Sequence, residues 1–353
     1  MREKGNQGTQ KMKSPSTIYL VTRTHGMRTH LLTDENFKTM AKSKSLSEVV
    51  DQLLRSDYAT EIGKLPSEQV DSSKLEMIFL KTLVERFFNL TKNAKGKGRE
   101  FLENYVARIE IENLKRILRA KHTNAKIDEH KLIPLDRQHT LINFPALLKA
   151  KDIEETTALL RETSYASLTR RIDDYKRLKV TIILESYLDS IYFDKVWEKV
   201  EKLENKKSIR RLVGEEIDLS NLQLILTLKM KEIASRQIEE MAIPISYRLR
   251  KTNIKRLAQG RLEDSPEALV GTPYVNTAIE ILRKTDPTIE FETILSKKLY
   301  QNASFALRNS SLEFGYVVAY FMMCEREARN LVTITTALDL GVTEENLLQR
   351  LFI

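Results

Sequence analysis

Asn113-Leu114-Lys115-Arg116-Ile117-Leu118 returns as Asn221-Leu222-Gln223-Leu224-Ile225-Leu226 and again as Asn330-Leu331-Val332-Thr333-Ile334-Thr335. Apolar residues one and four places after each Asn fall on one face of a helix with 3.6 residues per turn, so each run offers the same stripe to a core. A tyrosine precedes each Asn by 55 or 56 residues: Tyr58, Tyr165 and Tyr274. Five places before each Tyr stands a leucine (Leu53, Leu160, Leu269), and twelve before it an aliphatic residue (Leu46, Ile153, Leu262). The tyrosines are 107 and 109 residues apart and the asparagines 108 and 109. Two landmarks that move together along a chain mark a duplicated unit, here present three times.

The 353 residues therefore divide into three units, each large enough to bury a core. Charged residues make up 30% of the chain, against only 11 Gly and 8 Pro, and the long unbroken stretches carry helical rather than alternating periodicity. The expected fold is all-α, with boundaries at 1–15 (a disordered polar tail), 16–126, 127–235 and 236–353. Leu132-Ile133-Pro134 and Ala242-Ile243-Pro244 follow the first two Asn landmarks by similar distances and mark changes of direction. The third copy ends instead on Gly341-Val342-Thr343 and a short helix. Helices are expected over 16–32, 34–41 and 45–63, with Asp34 and Ser45 as caps. Long helices are expected over 72–92, 99–122 and 170–203, and a turn is expected near Asn302.

Net charge of +9 favours an acidic partner of some kind: nucleic acid, anionic headgroups or acidic protein. The single cysteine, Cys324, excludes an internal disulfide and reads as a small core residue. No stretch reaches the roughly 18–20 apolar residues of a membrane-spanning helix, Phe314–Cys324 covering about half of that.

Catalytic, cofactor-binding and metal-binding sites are not expected. Gly96-Lys97-Gly98 lacks the spacing and the Ser/Thr of a phosphate-binding loop. His25 and His30 are five apart, not the four that puts two ligands on one helical face, and His122, His130 and His139 are scattered in and around a linker. The carboxylates mostly alternate with Lys and Arg at helical spacing, as on a solvated face. Asn113, Asn221 and Asn330 read as buried groups that fix helix register, with a partner contact as the alternative. Tyr58, Tyr165 and Tyr274 read as packed aromatics with hydrogen-bonded hydroxyls rather than ligand-stacking rings.

Tyr19-Leu20-x-x-Arg23, Arg28-x-x-x-Leu32, the threefold Leu-x-x-x-x-Tyr and the threefold Asn-Leu-x-x-Ile, taken in order, resemble the C subunit of the A-type/V-type rotary ATPases, related to the eukaryotic d subunit, over residues 16–353. Where that family would carry a glycine after the linker prolines, this chain has Leu135-Asp136-Arg137 and Ile245-Ser246-Tyr247. The resemblance implies three helical modules in a pseudo-threefold funnel, without cofactors or catalysis. It implies a rotor part at the cytoplasmic face of the membrane that sits on the proteolipid ring, receives the central stalk in its mouth and carries torque for ion-driven ATP synthesis or ATP-driven pumping. In that setting Lys95, Lys97, Arg99, Lys206, Lys207, Arg210 and Arg211 are candidate contacts to acidic stalk or ring residues, the alternative being solvated charge. A basic helical nucleic-acid-binding scaffold is the competing reading. Arg170-Arg171 and Arg210-Arg211 suit it, but no aromatic clustering or recognition-helix signature accompanies them.

Overall fold

The computed structural model describes residues 15–66, 70–136, 139–284 and 287–353, with no side-chain description for 287–289; the expected tail lies outside them, apart from residue 15. Every regular element among the described residues is helical. The first third holds α1 (Pro15–Arg28), α2 (Asp34–Ala41), α3 (Leu46–Leu53), α4 (Ala59–Ile62), α5 (Ser72–Thr91), α6 (Gly96–Val106) and α7 (Arg108–Thr123). The second holds α8 (Phe144–Lys149), α9 (Ile153–Ala158), α10 (Ile172–Leu178), α11 (Ile182–Lys202) and α12 (Lys207–Met230). The last holds α13 (Ser235–Met241), α14 (Lys251–Gln259), α15 (Ser265–Ala268), α16 (Val275–Leu282), α17 (Pro287–Asn309), α18 (Gly315–Asp339) and α19 (Glu344–Arg350).

Local chemistry sets many of the starts. Ser45, Asp71 and Asp152 each accept a backbone N–H three residues on, at the first turns of α3, α5 and α9. Thr33, not Asp34, caps α2, and it shares a reciprocal capping pair with Asn36. The helix expected over 45–63 is split. The Ser56 hydroxyl donates to the Leu53 carbonyl and accepts the Tyr58 N–H, which turns the chain out of helix just before the tyrosine. Thr163 and Thr272 do the same before Tyr165 and Tyr274.

Three more expectations change. The long helix over 170–203 is broken at Lys179, which takes a left-handed conformation (φ 53°) and ends α10. The helix over 99–122 starts earlier, at Gly96, and is interrupted at Ala107. Asn302 lies inside α17, and the turn falls at residues 310–314, after the helix has run through Asn309.

Long helices pack across the sequence thirds as well as within them. Helix α11 lies on α6 and α7, α17 on α12, and α5 on α18. The last of these pairs joins the first and final thirds, with Phe87 and Phe321 stacked at 4.2 Å. Helix α18 also touches α1, α2, α3, α12, α17 and α19. That central position explains the apolar run Phe314–Cys324: residues Tyr316 to Met322 are all fully buried inside the protein.

Candidate functional site

The three asparagines are buried and make one kind of contact. Asn113 accepts the Ile133 N–H at 2.7 Å and donates to the Ile133 carbonyl at 2.8 Å. Asn221 clamps Ile243 in the same way, at 2.8 and 3.2 Å. Asn330 clamps Phe352, at 2.8 and 3.4 Å. Each side chain thus ties an extended segment, whose backbone has no ladder partner, to its helix. The third copy ends on the expected short helix, and Phe352 beyond it fills the place that the two linkers fill in the others.

The tyrosines are buried against carboxylates that the sequence reading missed. Tyr165 donates to Glu110 at 2.7 Å, Tyr274 to Asp218 at 2.9 Å and Tyr58 to Glu327 at 2.7 Å. Each carboxylate stands three residues before a landmark Asn, so the signal was there at the same long period. The pairing runs one third back along the chain in the first two cases and closes from first to last in the other. Burial and the neighbouring carboxylate raise the pKa of all three phenols. Burial also raises that of Asp218, against the pull of the backbone N–H of Arg248, the Tyr274 hydroxyl and the N–H of Leu249.

Residues five before each Asn, namely Arg108, Glu216 and Glu325, meet at one point. Arg108 lies 3.0 Å from Glu216 and 2.9 Å from Glu325, donates to the Tyr192 hydroxyl at 2.7 Å and sits 3.9 Å over the Tyr105 ring. The interruption at Ala107 lets α7 set out afresh at this arginine. Desolvation works against the Arg108 charge, but the two glutamates hold its pKa well above the usual range. Glu216 shifts upward, first through burial and then through Glu325, despite Arg108. Two carboxylates share one guanidinium, so with all three ionised the cluster carries one surplus negative charge.

Above this cluster opens a cavity of about 620 Å³, lined from α7, α12 and α18 and from the long helices packed against them. Ion pairs brace its wall: Lys115 with Asp189 at 2.6 Å, Arg119 with Glu185 at 2.6 Å and Arg116 with Glu76 at 2.9 Å. Below the cluster the helices close up. A Cβ on Gly98 would touch Phe314, and one on Gly315 would fall 2.4 Å from the Ser208 hydroxyl, so the starts of α6, α12 and α18 are packed together.

The seven candidate basic residues lie around those starts, at the end away from the cavity. Lys95, Lys97 and Lys207 are exposed. Arg99 pairs with Glu103, Lys206 and Arg210 with Glu201, and Arg211 with Glu215. None of them lines the cavity.

The histidines are spread through the structure. His25 stacks on Tyr316, His30 meets Asp57 at 2.8 Å, His122 meets the Tyr175 hydroxyl and His139 stacks on Phe88. Among the described residues no group of three or more His, Cys, Asp or Glu is placed to hold a metal ion, and no helix is long and apolar enough to cross a membrane.

Comparison with known proteins gives a consistent result. The A-type ATP synthase C subunit of Methanocaldococcus jannaschii is 24% identical over 329 residues, spanning 90% of this chain and 81% of that protein. Its counterpart of the same name in Archaeoglobus fulgidus is 23% identical, over 95% of this chain and 96% of the relative. That of Pyrococcus abyssi is 25% identical, over 92% and 87%. The family described as ATP synthase (C/AC39) subunit matches residues 20–350. With nearly the whole chain inside that match, the protein belongs to the ATP synthase (C/AC39) subunit family.

Proposed function

We propose that the chain is a non-catalytic rotor component of an A-type rotary ATP synthase. Three helical modules, 16–126, 127–235 and 236–353, surround a pseudo-threefold axis and form a funnel whose mouth is the 620 Å³ cavity. The tip of the central stalk enters that mouth, and the opposite end faces the proteolipid ring at the cytoplasmic surface of the membrane. The observation that carries this reading is the meeting of Arg108, Glu216 and Glu325, three positions one repeat apart, at the floor of the cavity. Residues related by a repeat come together only near the axis that relates the repeats.

Torque transmission asks for a body that does not deform, and closely packed helices tied across their seams by buried hydrogen bonds supply one. Under this reading the asparagines and tyrosines hold the body together, while the basic turns face the partner at the closed end. Neither group does chemistry; the relatives' name, A-type ATP synthase C subunit, is that of one part of a larger assembly.

Affinity purification of the tagged chain from its own membranes in mild detergent, at moderate and high salt, tests the assignment. Stalk proteins and proteolipid should co-elute. Weakened stalk binding with Val332→Arg, which fills the cavity wall, should leave proteolipid recovery unchanged. Nucleic acid released by salt, with no ATPase component in the eluate, would favour the basic-scaffold reading.

A further inference from the structure

The chain carries a net charge of +9, yet its ion pairs leave the cavity with carboxylates to spare. Lys115 takes Asp189, Arg119 takes Glu185 and Arg116 takes Glu76. At the floor Glu216 and Glu325 share Arg108, which leaves one negative charge over. Glu112 on α7 stands 3.8 Å from Arg116 and 3.6 Å from Arg119, both of which have a nearer carboxylate. Glu292 on α17 lines the cavity, exposed and without an ion pair among the described residues. Against these stands one spare cation. Arg329 is also exposed and also without an ion pair among the described residues, its guanidinium reaching the Ser296 hydroxyl at 3.5 Å. The surplus is felt by its neighbours: burial raises the pKa of Asp189, and Glu112 and Glu185 raise it further against the pull of Lys115.

We infer that the stalk enters this cavity with a basic tip, a Lys or Arg at a helix end whose charge offsets that of Glu112, Glu292 and the floor pair. The inference rests on the reading of the cavity as the stalk's socket and adds what the socket selects. Leu224, Leu299 and Val332 on the wall give the apolar stem of a long basic side chain a surface to lie along, which a small hydrated cation would leave unused. A volume of about 620 Å³ matches little more than one turn of helix with its side chains, so it is the end of a helix that enters. On a chain with positive net charge, a negative socket also gives a basic tip one favoured place to go.

The test is rebinding of the stalk. Stalk proteins that high salt releases from the immobilised full chain are reapplied, at graded salt, to the parent and to three variants. Glu112→Gln should weaken rebinding about ten-fold and flatten its salt dependence. Arg116 and Arg119 keep Glu76 and Glu185 in that variant, so its urea midpoint should stay with the parent's. Glu325→Gln should weaken rebinding to a similar degree, with Arg108 keeping Glu216. Arg329→Gln, which removes the spare cation, should tighten rebinding a few-fold. A merely structural role for these residues would not give effects of opposite sign. Three variants that rebind like the parent overturn the inference and leave the stalk in its socket. Tighter rebinding by Glu112→Gln with weaker rebinding by Arg329→Gln overturns it in favour of an acidic tip. If the parent itself takes up no stalk protein, the socket reading fails and this inference fails with it.

Discussion

Replacing Arg86 with Met should destabilise the protein more than removing any one of the repeated tyrosine hydroxyls. Arg86 is 6% exposed; one guanidinium nitrogen lies 2.6 Å from Glu327 and another 3.0 Å from Asp57. Glu327 is 1% exposed and in the variant loses the one cation that pairs with it among the described residues, keeping the Tyr58 hydroxyl at 2.7 Å and the Leu32 N–H at 2.5 Å. Stranding one member of a buried pair costs about 3–5 kcal/mol, and the two remaining donors place this case near 3. The Asp57 contact adds little, because that carboxylate is one-third exposed. The double variant Arg86→Met/Glu327→Gln removes the orphaned charge and should recover about 2 kcal/mol of the loss. Tyr165→Phe, at a seam where Lys195 lies over the ring, should cost about 1 kcal/mol. Urea unfolding followed by circular dichroism measures all three. A cost below about 1 kcal/mol for Arg86→Met, or a double variant no better than the single one, would refute the assignment of a buried ionic lock to this seam.

Asn113→Leu should lower stability by about 2–4 kcal/mol, since the Ile133 N–H and carbonyl both lose their partner, and stalk recovery by the folded fraction should not change; unaltered melting with lost stalk binding would make the asparagine a partner contact. Glu216→Gln should change the pH profile of stability. The folded pKa of Glu216 is raised above 4.5, so the stability it contributes is complete below the unfolded pKa and is lost as pH rises through the folded value. The variant should therefore gain on the parent as pH increases from that region, and parallel profiles would contradict the upward shift. Cys324 is buried, and burial pushes its thiol up to about 12, so iodoacetamide should modify it only after unfolding; modification of the native protein would place the thiol elsewhere. Gly214→Ala puts a Cβ 2.4 Å from the Tyr247 ring and should cost about 1–3 kcal/mol, read as a fall in the urea midpoint.

The all-helical fold was legible because apolar periodicity is a local property, and the repeat was legible because two landmarks kept a common spacing. Partners were harder to see. Glu110, Asp218 and Glu327 looked like surface carboxylates because their partners come from another third of the chain; only their offset from Asn113, Asn221 and Asn330 marks them. Arg108, Glu216 and Glu325 were hidden in a different way, since one position of the set changed the sign of its charge while keeping its place. The helix breaks at Ser56 and Lys179 escaped notice because a hydroxyl bonding its own backbone, or one residue in a left-handed conformation, interrupts a stripe without disturbing its pattern. Tyr247, standing where the family resemblance suggested a glycine, found its space on the bare face of Gly214.

The three tyrosine–carboxylate contacts also set an order of events during synthesis. Tyr165 and Glu110 are 55 residues apart, and Tyr274 and Asp218 are 56, so both contacts become available soon after their residues are made. Tyr58 and Glu327 are 269 apart. Until α18 leaves the ribosome, the face of α5 that carries Phe87 lacks the helix that packs on it, and Arg86 waits without Glu327. Of the three thirds of this sequence, the earliest is thus the last to be completed. A nascent chain stopped before residue 315 should present that face to chaperones or to other copies of itself, which makes the synthesis of α18 the step that commits the first third to its folded state.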